Sequence, residues 1–532
     1  MAETSRKYKI WEPLLLSMAV VIGMLAGAKL AESSQPATKP ETAITDSHYS
    51  GRQVEEIIRF LETKYVGEVS SDELVSKAIQ AVMEGLDPHS HYFPPDQLEA
   101  LEERTSGHYV GIGVEVAFIG DSLVVLYPKK GGPAEKAGLH TGDYILAVNG
   151  LDIPQRDSIK RDTILQLIKG DKGSKVRLTI KPMLEKNTRT VEITREDIQV
   201  PSVVAGYMID SSTAYIRIDR FTNSTYREFM DQWEKFSTTK NAKDLILDLR
   251  DNPGGYMKEA VNILSQIFRE EGKLLVYTEG KNHQRIEYKS TGKVFYPIGN
   301  VTVLINEGSA SASEIIAGCL QDQDRGLIMG SPSFGKGLVQ EQFELSNGGI
   351  LRLTVSKYYT PSGRLIQKAY DAHSAIDTVA VFKTSEGRPM HAGGGIVPDI
   401  LVAEDLQWSH PFMKQWMDLI SEYAIRYNLS RFGYDKVPVE QVAQVIQQLP
   451  AEEEIITGLK QLASKRHASD AKALITYMSE HQPQILRVAR AALVSGRTGE
   501  EGWYIALNES DPLVQKAKGL ARLDLQMALK ND

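Results

Sequence analysis

Apolar positions recur at helical spacing from Val54 to about Leu86, first as Val54, Ile57, Ile58 and Leu61, then as Leu74, Ala78, Ile79 and Val82. This spacing predicts a helical region over 54–106. From Gly107 the pattern shortens. Apolar, mostly β-branched runs at Leu123 to Leu126, Tyr144 to Val148 and Val176 to Ile180 stand between Gly-rich turns, with helical pieces at Pro133 to Ala137 and Arg161 to Ile168. A small, mostly β module over 107–183 is expected. A larger body, 184–404, alternates strands (Ala214 to Ile218, Leu245 to Leu249, Val301 to Ile305, Leu327 to Met329) with helices (Tyr226 to Phe236, Met257 to Phe268, Ser313 to Gln323). That alternation predicts an α/β layer structure. From 405 to 532 helical periodicity dominates, as in Phe412, Trp416, Leu419, Ile420 and Tyr423. This predicts a helical C-terminal extension whose apolar stripes form a core or an oligomer or adaptor contact rather than a ligand box.

The first residues carry Arg6, Lys7 and Lys9, then an apolar stretch from Trp11 to Ala28 broken only by Glu12 and Pro13. Basic-then-apolar is the layout of an export signal. The stretch is near the lower length limit of a spanning helix, and Ala26-Gly27-Ala28 fits a cleavage site. Residues 1–31 are therefore expected to be a membrane anchor with the bulk extracytoplasmic (periplasmic), the alternative being a cleaved signal peptide and a secreted protein. Residues 32–53, rich in Ser, Thr, Pro and Ala, read as a flexible tether.

With 532 residues, 42% hydrophobic and 24% charged, the chain can bury several cores. A net charge of -8 and the lack of a long basic run beyond the first ten residues argue against a nucleic-acid partner. The one cysteine, Cys319, precludes an intrachain disulfide. It sits among Ile315, Ile316, Ala317 and Leu320, where a buried inert thiol is expected rather than a nucleophile.

Four segments could carry chemistry or binding. Asn306 to Glu314 (Asn-Glu-Gly-Ser-Ala-Ser-Ala-Ser-Glu) follows an apolar strand and runs into a helix. Ser311 with Glu314 reads as a capping box, and Ser309 and Ser313 as turn formers. The same geometry also suits a nucleophile, since free N–H groups at a helix start stabilise an oxyanion. Ser333 to Gln340 (Ser-Phe-Gly-Lys-Gly-Leu-Val-Gln) imitates a P-loop but has Gly337 where Ser or Thr is needed, and a β-like run follows instead of a helix. Lys336 reads either as a solvated side chain or as a general base whose burial lowers its pKa. Gln340 would neighbour it on a helical turn, but would stand roughly 13 Å away along a strand. Leu247 to Gly255 is a strand ending in Asn-Pro-Gly-Gly, where a Gly254 or Gly255 amide, with that of Ala312, could form an oxyanion hole. In the β module, the loop Gly111-Ile112-Gly113-Val114 offers backbone amides for a peptide carboxylate. Ile112 and Val114 suggest an apolar pocket beside it.

Together with Leu86-Asp87-Pro88-His89-Ser90, Tyr358 to Gly363 and Gly395 to Asp399, these segments resemble the C-terminal processing peptidases, the tail-specific proteases of serine peptidase family S41, over about residues 54–404. The resemblance implies Ser311 as nucleophile, Lys336 as base and Gln340 as third residue. It also implies a crotonase-like or ClpP-like α/β core, an inserted PDZ domain gating it, and protein substrates recognised by their C-terminal tails. No metal or organic cofactor is required. A Ser-His centre using His373 or His391, a tail-binding PDZ scaffold without turnover, and a crotonase-like acyl-CoA enzyme are the alternatives.

Overall fold

The computed structural model describes residues 52–530 except 120–121, 154–160, 370–379, 407, 468 and 524. The expected anchor, nearly all of the expected tether, and His373 lie outside the described residues. The chain divides into two units, 1–81 and 82–532. The first holds helix Arg52–Lys64 and most of helix Ser71–Glu84. On the former, Val54, Ile57 and Phe60 are about half exposed.

In the second unit the chain enters and leaves the β module through an antiparallel ribbon, His108–Gly111 against Glu196–Gln199. The module is a six-stranded antiparallel sheet ordered Val114–Ile119, Ser122–Pro128, Tyr144–Val148, Lys175–Lys181, Arg189–Thr194, with Leu151–Asp152 beside Tyr144–Val148. Helices Pro133–Lys136 and Arg161–Ile168 accompany it. Alternation sets its core: in Lys175–Lys181, Val176, Leu178 and Ile180 turn inward while Lys175, Arg177 and Lys181 face out.

The sheet of the α/β body runs Val203–Met208, Thr213–Ile218, Asp244–Asp248, Val301–Ile305, Leu327–Gly330, Ile400–Leu401, antiparallel for the first pair and parallel thereafter. Asp244–Asp248 and Val301–Ile305 are buried at every residue, as a parallel sheet covered on both faces requires. Helices Thr225–Thr239, Met257–Ile267 and Ala312–Asp322 supply one apolar layer. Against Tyr215, Ile246, Leu304 and Met329 pack Leu513, Val514, Ala517 and Ala521, around helix Pro512–Leu520 near the chain's end. A second, five-stranded antiparallel sheet is built on the long strand Ile350–Tyr359, which pairs with His91–Phe93, Glu271–Glu279 and Leu338–Glu344.

Residues beyond 405 form helices, among them Pro411–Phe432, Glu452–Arg466 and Gln482–Thr498. Trp416, Leu419 and Ile420 are buried in their common core. Ile425 and Leu429 leave that core to pack on Ile119 and Val124 of the β module. Among the described residues no helix is long and apolar enough to cross a membrane.

Candidate active site

Two strand-to-helix turns meet at the carboxyl ends of neighbouring parallel strands. Ala310 N–H donates to the Asn252 carbonyl at 2.9 Å, and Ser309 Oγ donates to the Leu249 carbonyl at 2.8 Å. Ser313 Oγ donates to the same Asn252 carbonyl at 3.0 Å. Ser309 and Ser313 are fully buried and their hydroxyls are consumed in this stitching, whereas Ser311 is only half-buried. Ser309 and Ser313, read from the sequence as turn formers, are thus separated by burial from Ser311. Ser311 has φ 55° and ψ −112°, a strained conformation for a residue with a side chain, at the N-cap of helix Ala312–Asp322.

Glu314, one turn into that helix, is fully buried and its carboxylate has four donors. Oε2 accepts from the amides of Ser311 at 2.8 Å and Lys336 at 2.9 Å; Oε1 accepts from the Gly335 amide at 2.7 Å and Ser333 Oγ at 2.6 Å. Because Ile396 N–H occupies Ser333 Oγ as acceptor at 2.7 Å, the Ser333 proton points to Glu314. Four donors and no acceptor are the environment of an ionised carboxylate. Burial pushes this carboxyl above the usual range, and the donors from Ser333, Lys336, Gly335 and Ser311 offset that rise only in part. The capping box is thus real, and it also ties the Ser311 turn to the Lys336 loop. With the Gly335 and Lys336 amides spent on Glu314, this glycine loop has no cradle for a phosphate.

Lys336 lies in the loop before strand Leu338–Glu344. Its amine donates to Gln340 Oε1 at 3.1 Å. A bulge between Val339 and Gln340 shortens the path that a regular strand would leave too long. Gln340 Nε2 in turn donates to the His89 carbonyl. The His89 segment is fixed by Asp87, whose Oδ1 accepts from the amides of His89 at 2.8 Å and Ser90 at 3.0 Å. Burial lowers the Lys336 pKa, Arg352 lowers it further, and Asp87 and Glu314 oppose. Tyr358 Oη, fully buried, lies between the Ser311 carbonyl at 3.1 Å and the Lys336 carbonyl. Among the described residues the Lys336 amine donates to Gln340 and not to the Ser311 hydroxyl.

The glycine turn approaches Ser311 closely. A Cβ on Gly254 (φ +92°) would stand 2.7 Å from Ser311 Cβ and 2.9 Å from the Ala312 nitrogen. Its amide, expected to face an oxyanion, instead donates to Asn252 Oδ1 at 2.8 Å. The local Asn252 turn consumes that donor. Ala312 is the first residue of its helix, where N–H groups lack intrahelical acceptors. Gly255 (φ +144°) is adjacent, so close to the Phe221 backbone that no side chain fits.

In the β module, Gly111 pairs with Glu196, and the carbonyls of Ile112 and Gly113 accept from Ala134 at 2.9 Å and Lys129 at 2.8 Å. The Ile112 side chain is 1% exposed within the module's core, so it does not line an open apolar pocket; Val114 is half-buried. Cys319 is fully buried, and burial pushes its thiol well up. His391 is exposed on the ribbon Val381–Lys383 with Pro389–His391. The histidine beside the lysine is His89, lowered by burial and then by Lys336. The segments of Asp87 and Tyr358 stand out in the sequence only as motifs; their contacts, and the bridge made by Glu314, are connected only by the fold.

The sequence matches the pattern of Peptidase family S41 over residues 212–376 and that of a PDZ domain over 124–182. A probable CtpA-like serine protease of Staphylococcus aureus is 36% identical over 329 residues, covering 61% of this chain and 64% of that protein's own length. A carboxy-terminal-processing protease of Bartonella bacilliformis is 32% identical over 355 residues, 66% of this chain and 74% of the relative. A solved photosystem II D1 C-terminal processing protease is 28% identical, with 65% of this chain and 86% of that one covered and a TM-score of 0.35. The α/β peptidase core with a PDZ module and helical C-terminal region agrees with the sequence-based expectation. This chain belongs to peptidase family S41, among the carboxy-terminal-processing proteases.

Proposed function

We propose that the chain is an exported serine endopeptidase that cleaves proteins whose C-terminal tails its PDZ module captures. In this reading 107–183 is the PDZ domain, 184–404 the peptidase core and 405–532 a helical extension. The basic-then-apolar start supports a membrane anchor with the bulk outside the cytoplasm. Ser311 Oγ attacks the peptide carbonyl as its proton passes to the neutral Lys336 amine. The Gly255 and Ala312 amides hold the oxyanion. Lys336 then returns the proton to the leaving amine, and water, activated by the same amine, hydrolyses the acyl-serine. Gln340 keeps the amine aimed, and amides of the Gly111 to Val114 loop receive the tail's carboxylate.

The observation that carries this reading is the single buried carboxylate of Glu314 holding the Ser311 and Lys336 amides together. A desolvated amine in a fixed relation to a strained, accessible serine has the features of an activated nucleophile. Its donation to Gln340 instead of Ser311 fits a resting site that tightens on substrate.

The test is cleavage of an unfolded protein with an apolar C-terminus, free or amidated, by the full chain and by Ser311→Ala and Lys336→Ala. The expected result is a loss of about 10³-fold or more in both variants with tail binding kept, and weaker cleavage of the amidated tail. Undiminished cleavage in either variant overturns the dyad. Tail binding without wild-type cleavage supports a PDZ scaffold instead.

A further inference from the structure

The turn that supplies Gly255 begins at Arg250 and is unusually bent: Asp251 (φ 61°), Gly254 (φ 92°) and Gly255 (φ 144°) all have positive φ. Glycine adopts positive φ freely, so the backbone alone does not fix this turn's shape and its side-chain contacts help to set it. On one side Asn306 Oδ1 accepts the Asp251 amide at 2.8 Å. On the other, Arg250 is 9% exposed, and its Nη2 and Nε grip Asp248 at 2.6 and 3.0 Å. Its remaining arm, Nη1, donates to Asp511 Oδ2 at 2.8 Å. Asp511 comes from the far end of the chain. Its other oxygen caps helix Pro512–Leu520, accepting from Leu513 at 2.9 Å and Val514 at 3.1 Å. That helix is anchored through Leu513 and Val514 on the underside of the peptidase sheet. A cavity of about 280 Å³, lined by Arg250, Trp503, Tyr504, Asn508 and Asp511, lies beside the pair. From this side the turn is held by Arg217, whose Nη2 donates to the Arg250 carbonyl at 2.9 Å, and by the Arg250–Asp511 ion pair.

We propose that Asp511 is a positioning residue of the peptidase site: from the helical C-terminal region it fixes Arg250, and through Arg250 the turn that aims the Gly255 amide at the oxyanion. The inference rests on the peptidase reading above. It gives residues beyond 405 a part in the reaction that apolar stripes alone do not suggest. A small misplacement of an oxyanion donor is costly, so the effect falls on turnover and not on tail capture.

Asp511→Asn and Asp511→Ser, measured in the full chain, both keep a helix cap while removing the acceptor charge from Arg250. The expected result is a fall in kcat of about 10-fold or more with KM and tail affinity within about two-fold of wild type, persisting well below the variants' Tm. Wild-type kcat in either folded variant, an equal change in KM, or a loss restored by a cooler assay overturns the proposal. Cleavage insensitive to Ser311→Ala would instead show that the peptidase reading itself had failed, an outcome the Asp511 variants alone do not produce.

Discussion

Lys336 Nζ lies 3.1 Å from Gln340 Oε1 although both belong to the approach and start of a β-strand, where residues four apart ordinarily stand too far apart to bond. The bulge at Val339 and Gln340 makes the contact, and the Gln340 carboxamide then hands its own N–H to the His89 carbonyl. The amine is thereby aimed by a chain of contacts that no helix or regular strand supplies.

Activity is expected to rise with pH as Lys336 loses its proton. Burial first, and Arg352 second, lower its pKa, so the rise lies below the range of an ordinary lysine. Removing the cation with Arg352→Gln raises the Lys336 pKa and shifts the limb of the kcat/KM profile to higher pH. Activity near neutrality falls while activity on the alkaline plateau is retained. A pH profile of the two proteins checks this; coincident limbs refute it.

Glu314→Gln presents an NH₂ group where two donors now meet an oxygen. The unmatched donors in a buried site cost about 3 kcal/mol or more of stability and separate the Ser311 turn from the Lys336 loop. Denaturant unfolding is expected to show the lower midpoint, and cleavage to fall by more than about 100-fold even where the variant is folded.

Gly254→Ala is expected to abolish turnover. A methyl group at 2.7 Å from Ser311 Cβ, on a residue with φ +92°, cannot be accommodated without moving the Ser311 turn. Tail binding by the β module, measured by titration with a free-carboxylate peptide, should stay at the wild-type value.

Asp248 is expected to contribute to stability against acid. Burial alone would raise its carboxyl, but Arg250 and Arg217 outweigh burial and hold it well below the usual range. A carboxyl depressed in the folded state contributes stability that is present above its unfolded pKa of about 4 and is lost as pH falls toward the folded value. Wild type should therefore weaken progressively below about pH 4. Asp248→Asn should be less stable at pH 7 by about 3–5 kcal/mol, with a flatter acid limb, because two buried guanidinium groups lose their shared partner. Equal stabilities at neutral pH would show that the cluster contributes little.

Much of the fold is legible in the sequence where periodicity is strict. Tyr144–Val148 and Val301–Ile305 form the strands that their apolar runs predict, and the helix from Ala312 begins at the capping box. The five-stranded antiparallel sheet is not legible, because His91–Phe93 and Ile350–Tyr359 are joined only by long-range pairing. Ser311 and Lys336 stand out by motif, and burial sets the half-buried Ser311 apart from the fully buried Ser309 and Ser313. Gly254 illustrates the converse: its glycine turn suggests an oxyanion donor, but the Asn252 side-chain oxygen accepts its N–H. The Arg250–Asp511 pair spans 261 residues and leaves no trace in local pattern.

The most direct test of the Ser-Lys account is to trap the acyl-enzyme: react the full chain with an activated ester of an apolar peptide, quench, and map the modified residue by mass. The expected result is acylation at Ser311, absent in Ser311→Ala and slowed by about 10³-fold in Lys336→Ala, with Cys319 unmodified in the folded protein. Acylation at Cys319 or another serine, or a Lys336→Ala variant that acylates at the wild-type rate, would contradict it.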